Sequence, residues 1–300
     1  MIEPIRYSIL HRTLYEYSSP ALLCHNTMHL SPREVSYQSV ERSHIEISPA
    51  PSIRRPRQDP YGNQTEFFSI ESQHQSMLVE AESVVTRSVP CWEGAESVSF
   101  PSVRNRLHQP QTDEDRRAQE FCFDSSYIQS ESAFSDFAWE SFHSHNSLLD
   151  AVTNLTQRIF DDFQYVPNST LVSTTPREVL RTKQGVCQDF AHFQIACLRS
   201  IGLAARYVSG YLLTHPAPGQ PKLVGADASH AWLSVYFGDF GWIDFDPTNN
   251  AIPRNEHITL AWGADYADVA PIAGLLIGGG LTRLEVSVDV APIAPSHTTL

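Results

Sequence analysis

From Arg6 to about Val89 the chain runs in short stretches of β-branched and aromatic residues: Tyr7-Ser8-Ile9-Leu10, Ser43-His44-Ile45-Glu46-Ile47 and Glu66-Phe67-Phe68-Ser69-Ile70. Pro, Asn and Gly separate them, which is the pattern of strands joined by turns. Pro60-Tyr61-Gly62-Asn63 has turn chemistry between two such strands, and Glu46-Ile47-Ser48-Pro49 ends an alternating one. This half predicts an antiparallel β-sandwich. Between Pro90 and Asp113 the periodicity fades into Pro, Ser, Gln and Arg, and Asp113-Glu114-Asp115 opens a segment that could be helical. The expected division is therefore a β-rich domain over 1–110 and a second domain over 111–300.

The period then changes. Asn146-Ser147 precedes Leu148, Leu149, Val152, Leu155, Ile159 and Phe160, apolar positions at helical spacing behind a cap, so a helix should end near Phe163. Thr175-Pro176-Arg177-Glu178 starts a second helix with proline at its first position, expected to end at Gly185. A third runs from Cys187 to Ile201, with Gly202 stopping it. Arg206 to Leu213, Ser229 to Phe237, Trp242 to Phe245 and the alternating 284–290 segment predict strands. Helices followed by antiparallel strands make the second domain α+β.

Composition narrows the function classes. An apolar fraction of 41% in 300 residues supports ordinary packed cores. With 21 basic against 34 acidic residues the net charge is -13, which disfavours a phosphate-neutralising surface, and no nucleic-acid partner is expected. The densest basic stretch, Arg54-Arg55-Pro56-Arg57, reads as a solvated turn. The most apolar stretch, Ala270 to Leu281, is shorter than the roughly 20 residues of a membrane span and is interrupted by Pro271 and glycines. No membrane association is expected, and the opening residues lack a secretory pattern, so the expected compartment is cytoplasmic. Five cysteines, at 24, 91, 122, 187 and 197, contain no C-x-x-C pair and read as free thiols.

One of those thiols has a chemical setting. In Lys183-Gln184-Gly185-Val186-Cys187 the cysteine opens a helix, beside unpaired backbone N–H groups and the positive end of the helix dipole, a setting suited to a thiol nucleophile. Taken alone, the cysteine reads first as a buried structural one. His230 answers it. In Ser229-His230-Ala231-Trp232-Leu233-Ser234-Val235-Tyr236-Phe237 the apolar face carries Ala231, Leu233, Val235 and Phe237, leaving His230 on the other face with Trp232, Ser234 and Tyr236. The competing reading is a solvent-exposed strand histidine.

The third member is Asp246, in Gly241-Trp242-Ile243-Asp244-Phe245-Asp246-Pro247-Thr248, with Asp244 as the rival carboxylate and a turn-forming role as the competing reading for Asp246. Side-chain direction has period two, so Asp246 shares a face with His230 only if the hairpin loop holds an odd number of residues. Gly238-Asp239-Phe240 followed by Gly241 allows a three-residue loop that sets Asp246 diagonal to His230. The roles fit acyl transfer: Cys187 attacks a carboxamide carbon, His230 takes and returns the proton, and Asp246 fixes the imidazole. The backbone N–H of Cys187 would be one oxyanion donor, with Gln184 or Tyr165 as candidates for the second.

These residues carry a resemblance. Gly185-Val186-Cys187-Gln188-Asp189-Phe190-Ala191-His192, Gly202-Leu203-Ala204-Ala205-Arg206-Tyr207-Val208-Ser209-Gly210-Tyr211, Asp227-Ala228-Ser229-His230-Ala231-Trp232 and Gly241-Trp242-Ile243-Asp244-Phe245-Asp246-Pro247-Thr248-Asn249, in that order, resemble the bacterial transglutaminase-like family. Tyr7 to about Glu82 resembles the β-rich N-terminal region often joined to such cores, and Gly263 to Pro271 extends the likeness. The resemblance implies a papain-like α+β core, a Cys187-His230-Asp246 triad, and no cofactor or metal. It leaves the reaction open among peptidases and amidases, cross-linkers, deamidases and inactive members.

The remaining candidates are weaker. Asp189, His192 and Trp232 could support the site, and for His192 a plain packing role stands beside that one. Cys197 reads as a core cysteine. His25 with His29, and His143 with His145, read as solvated pairs and not as metal ligands. Three functional readings follow: a thiol peptidase or amidase acting on a peptide or protein amide, a protein-glutamine gamma-glutamyltransferase with an amine acceptor, or a catalytically silent binding module. Oligomeric state is not legible.

Overall fold

The first strand is the axis on which the chain is built. In the computed structural model, which describes residues 3–142, 147–167, 169–214 and 229–293, β1 spans Ile5–Met28 and is paired along both edges. Its first half lies between β5 (His74–Arg87) and β13 (Thr282–Ile293). Past an irregularity between Glu16 and Ala21 it lies between β4 (Gln64–Ile70) and β12 (Ile272–Gly278). β2 (Gln38–Ser48) and β3 (Ile53–Gln58) complete a seven-stranded antiparallel sheet. Its two wings meet in one core of Cys24, Met28, Ile45, Ile47, Phe68, Met77 and Val79, so the expected sandwich is a single sheet folded over along β1.

Several features depart from the sequence reading: Arg54-Arg55-Pro56-Arg57, expected as a solvated turn, lies within β3, an exposed strand paired with β4. The 284–290 strand, expected within the second domain, returns with β12 to the first sheet, because β1 offers it a long antiparallel partner from Arg6 to Tyr17. The 90–113 stretch holds a helix, α1 (Phe100–His108), capped by Ser99 and burying Phe100, Val103 and Leu107. α2 (Asp113–Gln119) and α3 (Ser132–Trp139) follow. α4 (Leu148–Asp162) starts behind Ser147 as expected, and its inward stripe is Leu148, Val152, Leu155 and Ile159.

A two-stranded parallel pair, β6 (Gln164–Tyr165) and β7 (Gln184–Gly185), flanks α5 (Pro176–Thr182). α5 stops before Gly185 because Lys183 takes the left-handed cap at φ 56°. Gly185 is needed for a different reason: a Cβ there would press on Asp189 at 2.8 Å. α6 (Cys187–Ser200) is buried along most of its length, with Phe193 packed among Phe134, Phe137 and Phe163.

The second sheet has the order β10-β9-β8-β11, with β8 at Ala205–Leu212, β9 at Ser229–Tyr236, β10 at Trp242–Phe245 and β11 at His257–Gly263. One face packs on the helices through Ala231, Leu233 and Val235. The other meets the first domain, where Tyr211, Ile258 and Leu260 join Tyr7, Ile9, Val85, Val288 and Val290. The strands are therefore buried on both sides. Side-chain amides tie the domains together at the edge of β11. Asn63 accepts from the Trp262 N–H at 3.0 Å and donates to the Trp262 carbonyl at 2.8 Å. Gln38 does the same at Thr259, at 2.9 and 2.8 Å. Each amide substitutes for the missing neighbour strand.

α7 (Tyr266–Val269) lies between β11 and β12. No helix among the described residues is long and apolar enough to cross a membrane. His143 and His145, the cap residue Asn146, and Asp227 and Ala228 lie outside the described residues. His25 and His29 lie on β1 and just beyond it, partly or fully buried: His25 stacks on Phe67, and His29 Nδ1 meets the Ala270 carbonyl at 3.1 Å.

Candidate active site

Cys187 occupies the first position of α6, where no carbonyl of the helix itself can accept the amide hydrogens of the opening turn. Asp189 fixes that turn. Its Oδ2 accepts from the Val186 N–H at 2.8 Å and from the Thr170 hydroxyl at 2.7 Å. Asp189 is buried, and burial raises its pKa. Its expected place beside the site is thus that of a buried cap supporting the loop that carries Cys187.

The β9–β10 hairpin has the odd loop. Trp242 pairs with Tyr236 and Phe245 with Leu233, and the Phe237 N–H donates to the Gly241 carbonyl at 2.7 Å across Gly238, Asp239 and Phe240. Gly241 holds φ at 70°, which favours glycine. That register puts Asp246 diagonal to His230, and His230 Nε2 donates to Asp246 Oδ2 at 2.7 Å. The rival Asp244 sits one pair further along and accepts from the Ser234 hydroxyl. The face carrying His230 is not solvent: His230 is 8% exposed and Trp232 stacks beside it at 6.0 Å.

Asp246 is saturated with donors. Its Oδ2 also accepts from His257 Nε2 at 2.9 Å and from the Asn249 side chain at 2.7 Å, and its Oδ1 from the N–H groups of Thr248 and Asn249 at 2.9 and 3.3 Å. Burial works against its charge, but the imidazole contacts outweigh it and hold the carboxyl well below its usual range. Burial lowers the pKa of His230, yet the Asp246 charge and hydrogen bond, and then the neighbouring Cys187 side chain, carry it upward. With Nε2 engaged by Asp246, Nδ1 is the ring nitrogen left for the thiol.

His257 and Asn249 escaped the sequence reading as members of this cluster. His257 opens a strand that was not predicted, and the only local signal was an Asn three residues after Asp246. His230, Asp246 and His257 bring three ligand atoms within 4.8 Å of one another. Their contacts of 2.7 and 2.9 Å are hydrogen-bond lengths converging on one oxygen, whereas a metal at about 2.0–2.2 Å from each atom needs them spread around it. The donor set fits a hydrogen-bond relay.

The other candidates divide. Tyr165 is half exposed and lines a cavity with His230 and Asn249, and Gln184 is exposed on β7 beside it. His192 points away: its Nε2 accepts from the Tyr266 N–H at 3.2 Å, its ring packs on Tyr127 and Tyr207, and burial lowers its pKa to about 4. Trp232 lies between His230 and His257, edge-on to the latter at 5.2 Å. Cys197 is fully buried and its pKa is raised by that burial. All five cysteines are free.

Cys187 and His230 line one cavity of 580 Å³, open to solvent, whose other walls come from β1, β8, α7, β12 and β13. The arrangement offers a thiol, an imidazole able to move its proton, a carboxylate fixing the imidazole, and room for a substrate.

Comparison with known proteins adds lineage. Residues 7–86 match the bacterial transglutaminase-like N-terminal region, and residues 137–247 match the transglutaminase-like superfamily. An uncharacterized protein of Mycobacterium tuberculosis is 36% identical over 304 residues, covering 96% of this chain and 93% of that one. A protein-glutamine gamma-glutamyltransferase of Pseudomonas aeruginosa is 31% identical over 103 residues, 33% of this chain and 15% of its own. The crystal structure of a candidate cysteine protease from Cytophaga hutchinsonii superposes with a TM-score of 0.77 at 20% identity, covering 99% of this chain and 93% of that one, a likeness of fold. With both halves matched and a relative aligned end to end, the chain belongs to the bacterial transglutaminase-like family.

Proposed function

We propose that the protein is a cysteine-dependent hydrolase of peptide or carboxamide bonds, with Cys187 as nucleophile, His230 as general base and acid, and Asp246 as the group that orients His230. The observation that carries the reading is that Cys187 and His230 line one cavity and that the His230 ring is hydrogen-bonded at 2.7 Å to the donor-saturated Asp246 carboxylate.

The steps balance without a cofactor or metal. With the thiol proton already on His230, whose pKa is raised, the Cys187 sulfur bonds to the carbonyl carbon as the C=O electron pair moves to oxygen, and the oxyanion is met by the backbone N–H of Cys187. His230 then protonates the leaving nitrogen, the C–N bond breaks, and a thioester remains. Water gives a proton to His230 and attacks the thioester, the C–S bond breaks, and the acid leaves with the Cys187 sulfur restored and its proton again on His230. Asp246 keeps the ring oriented throughout and offsets the charge of the imidazolium. Tyr165, beside the same ring, is the better-placed of the two candidates for a second oxyanion contact, since the Gln184 side chain faces solvent.

The substrate of this reading is a peptide or protein amide, and the five free thiols fit a reducing, cytoplasmic setting. An amine in place of water would make the protein a transglutaminase, a second reading favoured by the likeness to the P. aeruginosa gamma-glutamyltransferase. The test sets Cys187→Ala beside the parent on peptide amides, with iodoacetamide labelling. Loss of turnover and of the adduct is expected; equal turnover in both proteins sinks the proposal. Incorporation of a primary amine into a glutamine peptide selects the second reading. A Cys187 that reacts no faster than the buried Cys197 selects a silent binding module.

A further inference from the structure

The cavity that holds Cys187 and His230 has a wall supplied by the other domain. In the β1–β13 register His11 faces Val288, Thr13 faces Val286 and Tyr15 faces Leu284, and these three cross-strand pairs lie on one face of the sheet and line the cavity together. The wall grades from floor to mouth: Val288 is 1% exposed, Val286 50% and Leu284 54%. Ile272 adds to it from β12.

Two properties set what this wall accepts. Among the described residues no Asp, Glu, Lys or Arg lines the cavity, although the chain as a whole carries a net charge of -13. The His11–Thr13 part of the wall is already engaged: His11 Nε2 meets the Thr13 hydroxyl at 2.8 Å, and its Nδ1 meets the Tyr211 hydroxyl at 2.9 Å. Burial lowers the His11 pKa to about 4, so the wall adds no positive charge near neutrality. A charged side chain laid here would lose water and gain no oppositely charged partner among the described residues, whereas an apolar one would cover Leu284 and Val286.

We infer that this β1–β13 face is the specificity wall of the site and holds an uncharged, apolar side chain of the substrate next to the carbonyl that Cys187 attacks. The inference rests on the reading of Cys187 as nucleophile and extends it to a substrate class. It also assigns the first domain a part in recognition, since the wall is built on β1 and on the C-terminal strand that pairs with it.

Binding to the Cys187→Ala protein tests it, because no turnover is needed. N-acetyl-phenylalanine amide, N-acetyl-glutamate amide and N-acetyl-lysine amide are titrated by calorimetry or by chemical-shift perturbation. The phenylalanine amide should bind about 10-fold or more tighter than either charged one, and adding Val286→Glu should remove that advantage without lowering the melting temperature. Leu284→Glu, at the mouth, should do the same and serves if the first variant fails to fold. Equal affinities, no saturable binding of any of the three, or discrimination that survives both variants overturns the inference. Discrimination in a protein whose parent shows no turnover keeps the wall and sinks the catalytic reading. Turnover without discrimination does the reverse.

Discussion

His257 and His230 direct their Nε2 atoms to the same oxygen, Oδ2 of Asp246, at 2.9 and 2.7 Å. The first ring belongs to β11 and the second to β9, so the carboxylate is gripped from two strands that do not adjoin in the sheet. Nδ1 of His257 has no partner among the described residues, which leaves holding Asp246 as the polar work of this side chain.

Replacing His257 with Phe should therefore act through Asp246 and not through substrate. One charge-assisted hydrogen bond is worth about 1.5–3 kcal/mol, so kcat of the proposed hydrolysis should fall about 10- to 100-fold with KM nearly unchanged. His257→Gln, which keeps a donor, should recover part of the loss. A rise in KM with kcat intact would show that His257 does not position Asp246.

The His230–Asp246 pair gives stability a pH window. Asp246 is depressed, so its share is present above the ordinary carboxyl range near about 4 and is lost as pH falls through its lowered value. His230 is raised to about 10, so its share is complete below the ordinary imidazole range near about 6.5 and is lost as pH rises through that elevated value. The melting temperature of the parent, relative to an Asp246→Asn, His230→Phe protein, should have its largest margin between these ranges and narrow on both sides. A margin that grows steadily from pH 6 to pH 10 would contradict the pairing.

Gly210 lies opposite Thr259, beside an irregularity in the β8–β11 pairing. A Cβ there would collide with the Trp232 ring and the Ile258 carbonyl, and neither can move without disturbing His230 or β11. Gly210→Ala should cost about 1–3 kcal/mol in urea unfolding and reduce turnover together with stability. Wild-type stability would mean that Trp232 has room the packing does not suggest.

Asn63 is fully buried and satisfies both backbone groups of Trp262. Asn63→Ala leaves those two groups unpaired at the domain seam, a loss of about 2–4 kcal/mol. Because the seam holds the β1–β13 wall over the cavity, the variant should also weaken substrate binding more than Cys187 alkylation. An unchanged unfolding midpoint would refute the bridging role.

The sequence by itself determined the local chemistry. The cap before Leu148 and the proline at the start of α5 predicted those helix starts because capping is settled within a few residues. The three-residue loop at Gly238-Asp239-Phe240 predicted the register that brings Asp246 to His230, since side-chain direction alternates with period two. The order of the cysteine, histidine and aspartate motifs carried the family, which the matches over 7–86 and 137–247 bear out.

What spacing could not reach is whatever depends on residues far apart in the chain. The alternating 284–290 segment read as a strand, but nothing local could say that its partner was β1 and not the second sheet, because pairing is chosen by the edge left open after the rest has folded. His257 gave no signal because its meaning lies in Asp246 of another strand, and Asn63 and Gln38 were invisible as bridges because their partners are nearly 200 or more residues away. The sequence thus determined which groups exist and which way each points on its own element. Only the tertiary structure decided which of them share a cavity, since long-range contact is fixed by packing and not by local preference.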